Sequence, residues 1–405
     1  MKRIVYLMGA GAAVDWNGPT TQQITDSLLE HGPSNSNGKL IIKYIYDYFT
    51  DPNNEGEKLN FEGIIDVIEQ CAQYWLSKDS NCFINTKLIS ENDAFWDNAF
   101  SEDYIADKRN YNRKLSPKAN FFCKLILDCY EVVISHIRCY SQFTQNINKI
   151  YCTNNSNINN LAARYLKEKS KDSYLRIYSL NYDRVIQAIF QEERISFFQG
   201  FYPDNIVPTI EEMDQKVDSK RILTSLNENC IYHLHGNFCW KVVNTNTNGL
   251  DGYEILNTYY YKPLRNTGFQ QTTSEKNKHL FLSPIITGYS KVQRTNLTPF
   301  KQMASAFDID CHIADEIIII GYSFGDLHIN DTIRQARKNN PSVNITIVTS
   351  PKDKRKTLKK ISTDLISHWD KYHDFIFESG EDVAYSKQFN LRVVFKYFKD
   401  FLESQ

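Results

Sequence analysis

The chain reads as an α/β protein: a Rossmann-like open parallel sheet carrying a large helical insertion after its first βα unit. Three observations predict this. Short apolar strands alternate with helical and polar stretches, and one of them holds four consecutive isoleucines, Ile317–Ile320. An unbroken apolar run of this kind suits a central parallel strand buried on both faces. The first strand runs through a glycine loop into a helix, in residues 3–21, RIVYLMGAGAAVDWNGPTT. Strand, glycine loop and helix N-terminus together offer backbone N–H groups and a helix dipole to an anion. Finally, residues 31–170 are mostly helical and separate that unit from the next strand, whereas ordinary βα connections span a few residues.

Composition bounds the function. The 405 residues suffice for a sizeable core, in one large domain with an insertion or in two to three domains. Hydrophobic residues make up 41% and charged residues 23%, as in a soluble globular protein. The net charge of −1 gives no electrostatic footprint for a nucleic acid, and the basic run Lys352, Lys354, Arg355, Lys359 and Lys360 reads as a solvated helix face. The nine cysteines are odd in number and include no CxxC pair. With MKRIVYLMGAG read as a first strand rather than a signal peptide, and no apolar run long enough to span a bilayer, the expectation is a reduced, cytoplasmic protein.

In chain order, Arg3–Met8 is a strand and TTQQITDSLLEH a helix, followed by the turn-rich break HGPSNSNGK, 31–39. In FEGIIDVIEQCAQYW, residues Phe61, Ile64, Ile65, Ile68, Ala72 and Trp75 recur at helical spacing. Residues 78–115 show no period. Ser116 and Pro117 fit the N-cap and first position of a helix whose apolar face is Phe122, Leu125, Ile126, Cys129, Val133 and Ile137. A further helix spans Asn157 to about Lys169. Strands follow at 174–180, 230–236, 279–285, 315–326 and 343–349, with a helix at 184–193 and an irregular excursion at 241–278. The sheet is expected to end near residue 350, and 389–403 reads as an amphipathic helix that docks on the body or on another subunit. The expected organisation is a nucleotide-binding domain from 1–30 and 171–350, a helical insertion at 31–170 acting as cap or oligomerisation surface, and a helical extension at 351–405.

Four strands end in polar or glycine-containing motifs: Gly9-Ala10-Gly11, Asn181-Tyr182-Asp183, His235-Gly236, and Gly321-Tyr322-Ser323-Phe324-Gly325-Asp326. In an open α/β sheet, ligands bind beyond the carboxyl ends of the strands, so four such endings on one edge define a site. The first loop is neither GxGxxG nor a phosphate-binding Gly-Lys-Ser/Thr loop, because its third glycine, Gly18, comes late and no lysine follows. Asn181 and Asp183 admit a second role as caps of the following helix, and for Asp183 capping and chemistry stand level. Asp326 reads mainly as the N-cap of LHINDTIRQARK, and His328 as a surface or supporting residue. Asp15 fits either a cap or a ribose contact. His233 and His235 alternate on one strand and face the same way. With Cys230 and Cys239 nearby they still match no structural zinc spacing, so no metal is expected and His233 reads as a core histidine.

These motifs, in this order, resemble the sirtuin family, in its bacterial defence-type branch of sirtuin-like NAD-hydrolases. GAGAAVDWNGPT is similar to the family's first loop, SLNYD to its Asn-x-Asp strand end, HLHG to its catalytic His-Gly, and GYSFGDLHIN to its late Gly-x-Ser loop. The resemblance covers about 1–30 and 172–350. The chain departs from deacylase sirtuins in lacking two CxxC pairs and in carrying Thr20-Thr21-Gln22 where they have Asp-Phe-Arg.

The resemblance implies NAD as substrate. Gly9, Ala10, Gly11, Gly18, Pro19 and Thr20 would lie along the pyrophosphate and nicotinamide half, and Gly321 and Ser323 against phosphate or ribose. The chemistry needs a base near the ribose or an attacking water, and charge stabilisation at the anomeric carbon. His235 is the candidate base, an imidazole whose unperturbed pKa lies near neutral pH, Asn181 supplies a neutral donor and acceptor, and Asp183 either orders the site or contacts nicotinamide. The expected activity is hydrolysis of NAD+ to nicotinamide and ADP-ribose, as the effector of anti-phage defence by NAD depletion. The resemblance further implies a homo-oligomer gated by a separate subunit of the hexameric DNA-translocase ATPase type. The alternatives are a deacylase or ADP-ribosyltransferase, and a non-catalytic module that senses NAD or ADP-ribose.

Overall fold

A computed structural model describes residues 1–35, 37–50, 59–76, 116–141, 156–202, 214–244, 253–258, 270–275, 278–287, 294–366, 373–378, 380 and 382–405. The unpatterned stretch at 78–115 lies outside the described residues.

The strands are β1 (Lys2–Met8), β2 (Ser173–Ser179), β3 (Cys230–His233), β4 (Trp240–Asn244), β5 (Tyr253–Asn257), β6 (Gln270–Glu275), β7 (Lys278–Leu282), β8 (Glu316–Ile320), β9 (Asn344–Thr349), β10 (Ile376–Phe377), β11 (Val383–Ser386) and β12 (Leu391–Phe395). The helices are α1 (Thr21–Leu29), α2 (Ile41–Thr50), α3 (Phe61–Leu76), α4 (Pro117–Tyr140), α5 (Ser156–Asp172), α6 (Val185–Glu192), α7 (Ser219–Thr224), α8 (Phe300–His312), α9 (Leu327–Asn339), α10 (Lys354–Ile361) and α11 (Phe398–Glu403).

An eight-stranded sheet runs in the order β10-β11-β12-β9-β8-β1-β2-β3. Its strands are parallel from β12 to β3, and β10 and β11 add an antiparallel edge. The open α/β sheet is therefore as expected, with β1 between β8 and β2. From β1 the chain steps through β2 to β3 on one side, and from β8 through β9 to β12 on the other. The order thus reverses between β1 and β8, the switch point where such sheets leave a crevice.

β1 shows why both faces must be covered. Ile4, Tyr6 and Met8 join one core with α1, α3, α4, α5, α6 and α11, while Val5 and Leu7 join the other with α8, α9 and α10. Successive side chains of a strand point to opposite faces, so an almost wholly apolar strand becomes the keel of two cores.

The insertion helices form as their patterns predict. Ser116 caps α4, its side chain accepting from Ala119 N at 3.2 Å, and Pro117 takes the first position. The predicted apolar face of α4 is buried throughout. α3 and α4 pack on the same side of the sheet as α1. A buried ion pair ties the insertion to the rest: Arg294 Nη2 lies 2.6 Å from Glu69 Oε1 of α3, and its Nη1 donates to Tyr130 Oη of α4 at 2.7 Å and to Thr287 O at 2.6 Å.

Three expectations are corrected. The segment 389–403 is not one helix; Leu391–Phe395 forms β12, and only 398–403 is helical. The sheet consequently does not end near 350, since β10, β11 and β12 come from the presumed helical extension. In LRVVF only Arg392 is exposed, so the strand shows little alternation and its apolar run resembles a helix face. Second, the strand at 279–285 is β7, which stands outside the main sheet in a ribbon with β6. Third, 241–278 is not irregular throughout, for β4 and β5 make an antiparallel pair and β6 falls within the same span.

Candidate active site

The carboxyl ends of β1, β2, β3, β8 and β9 open into one cavity of 640 Å³. It is lined by Gly9, Ala10 and Gly11 after β1, Asn181 after β2, His235 after β3, Gly321, Ser323 and Asp326 after β8, and Thr349 and Ser350 after β9. Pro19, Thr20 and Thr21 add the start of α1. The insertion contributes Asn60, Phe61 and Glu62 from the start of α3, and Ile137 and Tyr140 from the end of α4. α3 and α4 therefore wall the cavity, as a cap would.

The first loop is not open. Residues Ala10–Trp16 form a 3-10 helix, Asn17 turns into the left-handed region at φ 63°, and Gly18 packs where a Cβ would meet Ala13 at 2.7 Å. Thr20 closes α1 with a capping box, its hydroxyl accepting from Gln23 N while Gln23 Oε1 accepts from Thr20 N. Gly18 does not line the cavity; its smallness lets the turn close and so aims α1 at the site.

Gly9 and Gly11 were expected to free their N–H groups for phosphate. Instead, Gly9 N donates to Ile320 O and Gly11 N to Gly321 O, both at 2.9 Å. The glycines are needed because two backbones touch. A Cβ on Gly11 would lie 2.8 Å from Gly321 Cα, and one on Gly321 only 2.1 Å from Ala12 N. This contact sits at the switch point between β1 and β8. Anion-binding capacity falls instead to the helix starts, where N–H groups lack intrahelical partners and the dipole is positive. α1 and α3 begin at the cavity; the 3-10 helix begins there as well, but its Gly11 and Ala12 N–H groups donate to Gly321 O and Gly9 O.

Asn181 stands at the mouth of β2. Its Nδ2 donates to Gly9 O at 3.0 Å, and its backbone N to Ser179 Oγ at 3.0 Å. The side chain is thus set across the β1–β2 crevice. Asp183, two residues on, does not line the cavity. It is buried, accepts from Val185 N at 2.9 Å at the start of α6, and accepts from Tyr140 Oη at 2.7 Å. Burial raises its carboxyl above the usual range, which these two donors counter. Of its two sequence readings, the helix-start role is the one this geometry displays.

β3 stops at His233, so the two histidines do not share a strand face. His233 Nδ1 lies 3.0 Å from Asn181 O, so it donates there, and its Nε2 accepts from Gln187 and Asn237. Burial pushes its pKa down to about 4, and it stays neutral as a core residue. His235 sits in the following turn, where Gly236 at φ +89° reverses the chain. Ile286 N donates to His235 O at 2.7 Å, and Asn237 N to Pro284 O at 3.1 Å. Segment 283–287 thereby clamps the turn and leaves the imidazole on the cavity.

Asp326 and Asp15 depart from or resolve their readings. Asp326 occupies the N-cap position of α9 but makes no capping bond; its Oδ2 lies 3.8 Å from His235 Nε2. Asp15 caps another helix, accepting from Lys399 N of α11 at 2.8 Å. His328 is exposed, with its ring centroid 6.5 Å from that of His235. The lining residues Glu62, Asn60 and Tyr140 escaped sequence reasoning. Only Asn60 carried a signal, as a helix-start residue whose Oδ1 accepts from Gly63 N at 3.0 Å. Among the described residues no group of three or more His, Cys, Asp or Glu could hold a metal ion, and no helix is long and apolar enough to cross a membrane.

Residues 175–366, just under half of the chain, match the family model of the SIR2-like domain. The match starts within β2, and β1 with its loop lies outside it, although β1 pairs with both β2 and β8. Among solved structures, one described as "The Structural basis of Sirtuin Substrate Affinity" is similar at 11% identity and a TM-score of 0.39, covering 99% of this chain and 92% of that one. No curated protein matches the chain.

Proposed function

We propose that the cavity binds NAD+ and that the protein hydrolyses it to nicotinamide and ADP-ribose. The observation that carries this reading is the meeting of Asn181, His235 and the first glycine loop in one cavity at the switch point of an open sheet, within or beside a SIR2-like match. SIR2-like domains act on NAD. The volume of 640 Å³ suits a ligand of that size, since cofactor sites run to roughly 300–1,000 Å³.

The residues divide the work. The start of α1 faces the pyrophosphate with the positive end of its dipole. Ser323, Thr349 and Ser350 offer hydroxyls to ribose or phosphate. Glu62 and Asp326 place carboxylates in the cavity, favouring the cationic nicotinamide end. Asn181 orients the ribose or the attacking water, and His235 removes a proton from one of them. The insertion excludes bulk water through Phe61, Ile137 and Tyr140.

An unregulated activity of this kind would exhaust the cell's own NAD. We therefore assign the protein the part of an effector in anti-phage defence, gated by self-assembly and by a partner of the DNA-translocase ATPase type.

Incubation with NAD+, with and without the product of the neighbouring gene, tests the chemistry by following nicotinamide and ADP-ribose. His235→Ala should lower the rate by about 10²–10⁴-fold, and Asn181→Ala should lower it too. Release that requires an acylated peptide would make the protein a deacylase. NAD binding without release in any condition would make it a sensor.

A further inference from the structure

We infer that Asp326 is a positioning residue for His235, holding the imidazole in register with the cavity and stabilising it when it carries a proton. The inference rests on the hydrolase reading above for its kinetic consequence, and on geometry for the pairing itself.

A side chain at a helix N-cap ordinarily turns inward to accept from the backbone N–H of the first turn. Asp326 does not; its carboxylate reaches across the cavity to within 3.8 Å of His235 Nε2. The two side chains are 17% and 4% exposed, so little water lies between them to screen the charge.

The loop carrying Asp326 is built to hold it there. Tyr322 Oη accepts from Asp326 N at 3.0 Å and lies 2.9 Å from Asn330 Oδ1. Asn330 Nδ2 donates to Phe324 O at 3.1 Å. These bonds sustain Phe324 at φ 58°, a conformation that a bulky side chain adopts only under constraint. On the other side, segment 283–287 clamps the backbone of His235. Acid and base thus stand on two separately braced turns, and the distance can tighten when a ligand fills the cavity.

Besides Asp326, the titratable groups of the cavity that holds His235 are Glu62 of α3, Tyr140 of α4, Tyr182 after β2 and Tyr322 in the same loop as Asp326, with His328 of α9 exposed at 6.5 Å between ring centroids. Burial, then the Glu62 charge and more weakly that of Asp326, hold Tyr182 in the neutral form, and burial with the Asp326 charge does the same for Tyr322. Of the two cavity carboxylates, Asp326 is the one that stands at ion-pair distance from the imidazole, 3.8 Å from Nε2. A nearby carboxylate favours the imidazolium and raises its pKa; removing the charge lowers it.

The test is a histidine NMR titration of the full-length protein without ligand, alongside pH–rate profiles with NAD+. In Asp326→Asn the His235 resonance should titrate about one pH unit lower than in the wild type. The acid limb of kcat/KM, where His235 loses its basic form, should move down by the same amount. We expect kcat to fall about 10–100-fold, with KM held within about twofold, as for a group that acts in the transition state. Asp326→Glu should restore part of both, and Asp331→Asn, on the exposed face of α9, should change neither. If His235 titrates identically in the wild type and in folded Asp326→Asn, the pairing is wrong. If Asp326→Asn does not fold, the titration of Asp326→Glu decides, because a lengthened carboxylate must still move the His235 pKa from its wild-type value. A wild type that releases no nicotinamide would overturn the hydrolase reading and leave the titration intact as a test of the pairing.

Discussion

At Gly321 a side chain has nowhere to go. Its φ of +61° disfavours any Cβ, and the space a methyl would take is filled by Ala12 N and Gly11 Cα, at 2.1 and 2.5 Å. Gly325, four residues on, has only Ser323 Oγ within reach, at 3.6 Å, and no positive φ. Gly321→Ala should therefore cost about 3 kcal/mol, from overpacking and left-handed strain together, and Gly325→Ala about zero or a small gain. Urea unfolding of both proteins checks this, and equal midpoints would contradict it. The two glycines looked alike in the sequence. What sets them apart is the approach of a second backbone, which no local pattern encodes. The same limit explains Asp326 and Asp183. Both precede helices, so both could be read as caps; one turns to its helix and the other to a histidine in the turn after a distant strand. Asn181 and His235 share the cavity because the strands before them end on one edge of the sheet, the edge that the alternation of strands and helices predicts.

At the scale of single elements, the helices wrote their own boundaries. α4 begins where Ser116 and Pro117 place it, with Ser116 Oγ 3.2 Å from Ala119 N. Ser116→Ala should destabilise the protein by about 1 kcal/mol without changing activity, since Ser116 lies outside the cavity lining. A loss of activity at unchanged stability would instead tie the start of α4 to the site. Strands were less legible where tertiary context decides. β12 and the α11 that follows form one apolar-rich stretch, and its split into strand and helix depends on β9 offering an edge for pairing. β7 has the composition of a sheet strand but finds its partner in β6. The cap's share of the cavity was hidden for the same reason: Asn60, Glu62 and Tyr140 acquire their place only when α3 and α4 lie across the sheet.

On the scale of the molecule, the insertion and the sheet behave as one body. Arg294 joins Glu69 and Tyr130 in a site with side-chain exposures of 2% for the arginine and 0% for the glutamate. Removing one partner strands the other charge in an apolar interior. Arg294→Met should cost about 3–5 kcal/mol, with a cooperative loss of structure throughout. Adding Glu69→Leu should recover most of it, because replacing a whole buried pair by apolar groups is often close to neutral. Calorimetry checks both, and a separate early transition for the insertion would refute the single body.

Lys399 N reaches back to Asp15, and Phe398 packs on Trp16 with ring centroids 5.9 Å apart. Residues with high numbers thus brace a loop with low ones, and β1 finds its neighbours only when residues 173–179 and 316–320 have followed it from the ribosome. During synthesis this wall of the cavity must wait for the roughly three hundred residues that separate β1 from β8. Contacts so distant in sequence make for slow, late folding. A nascent chain therefore cannot assemble the cavity piecemeal, and whatever chemistry the cavity performs begins only once translation of these residues is over.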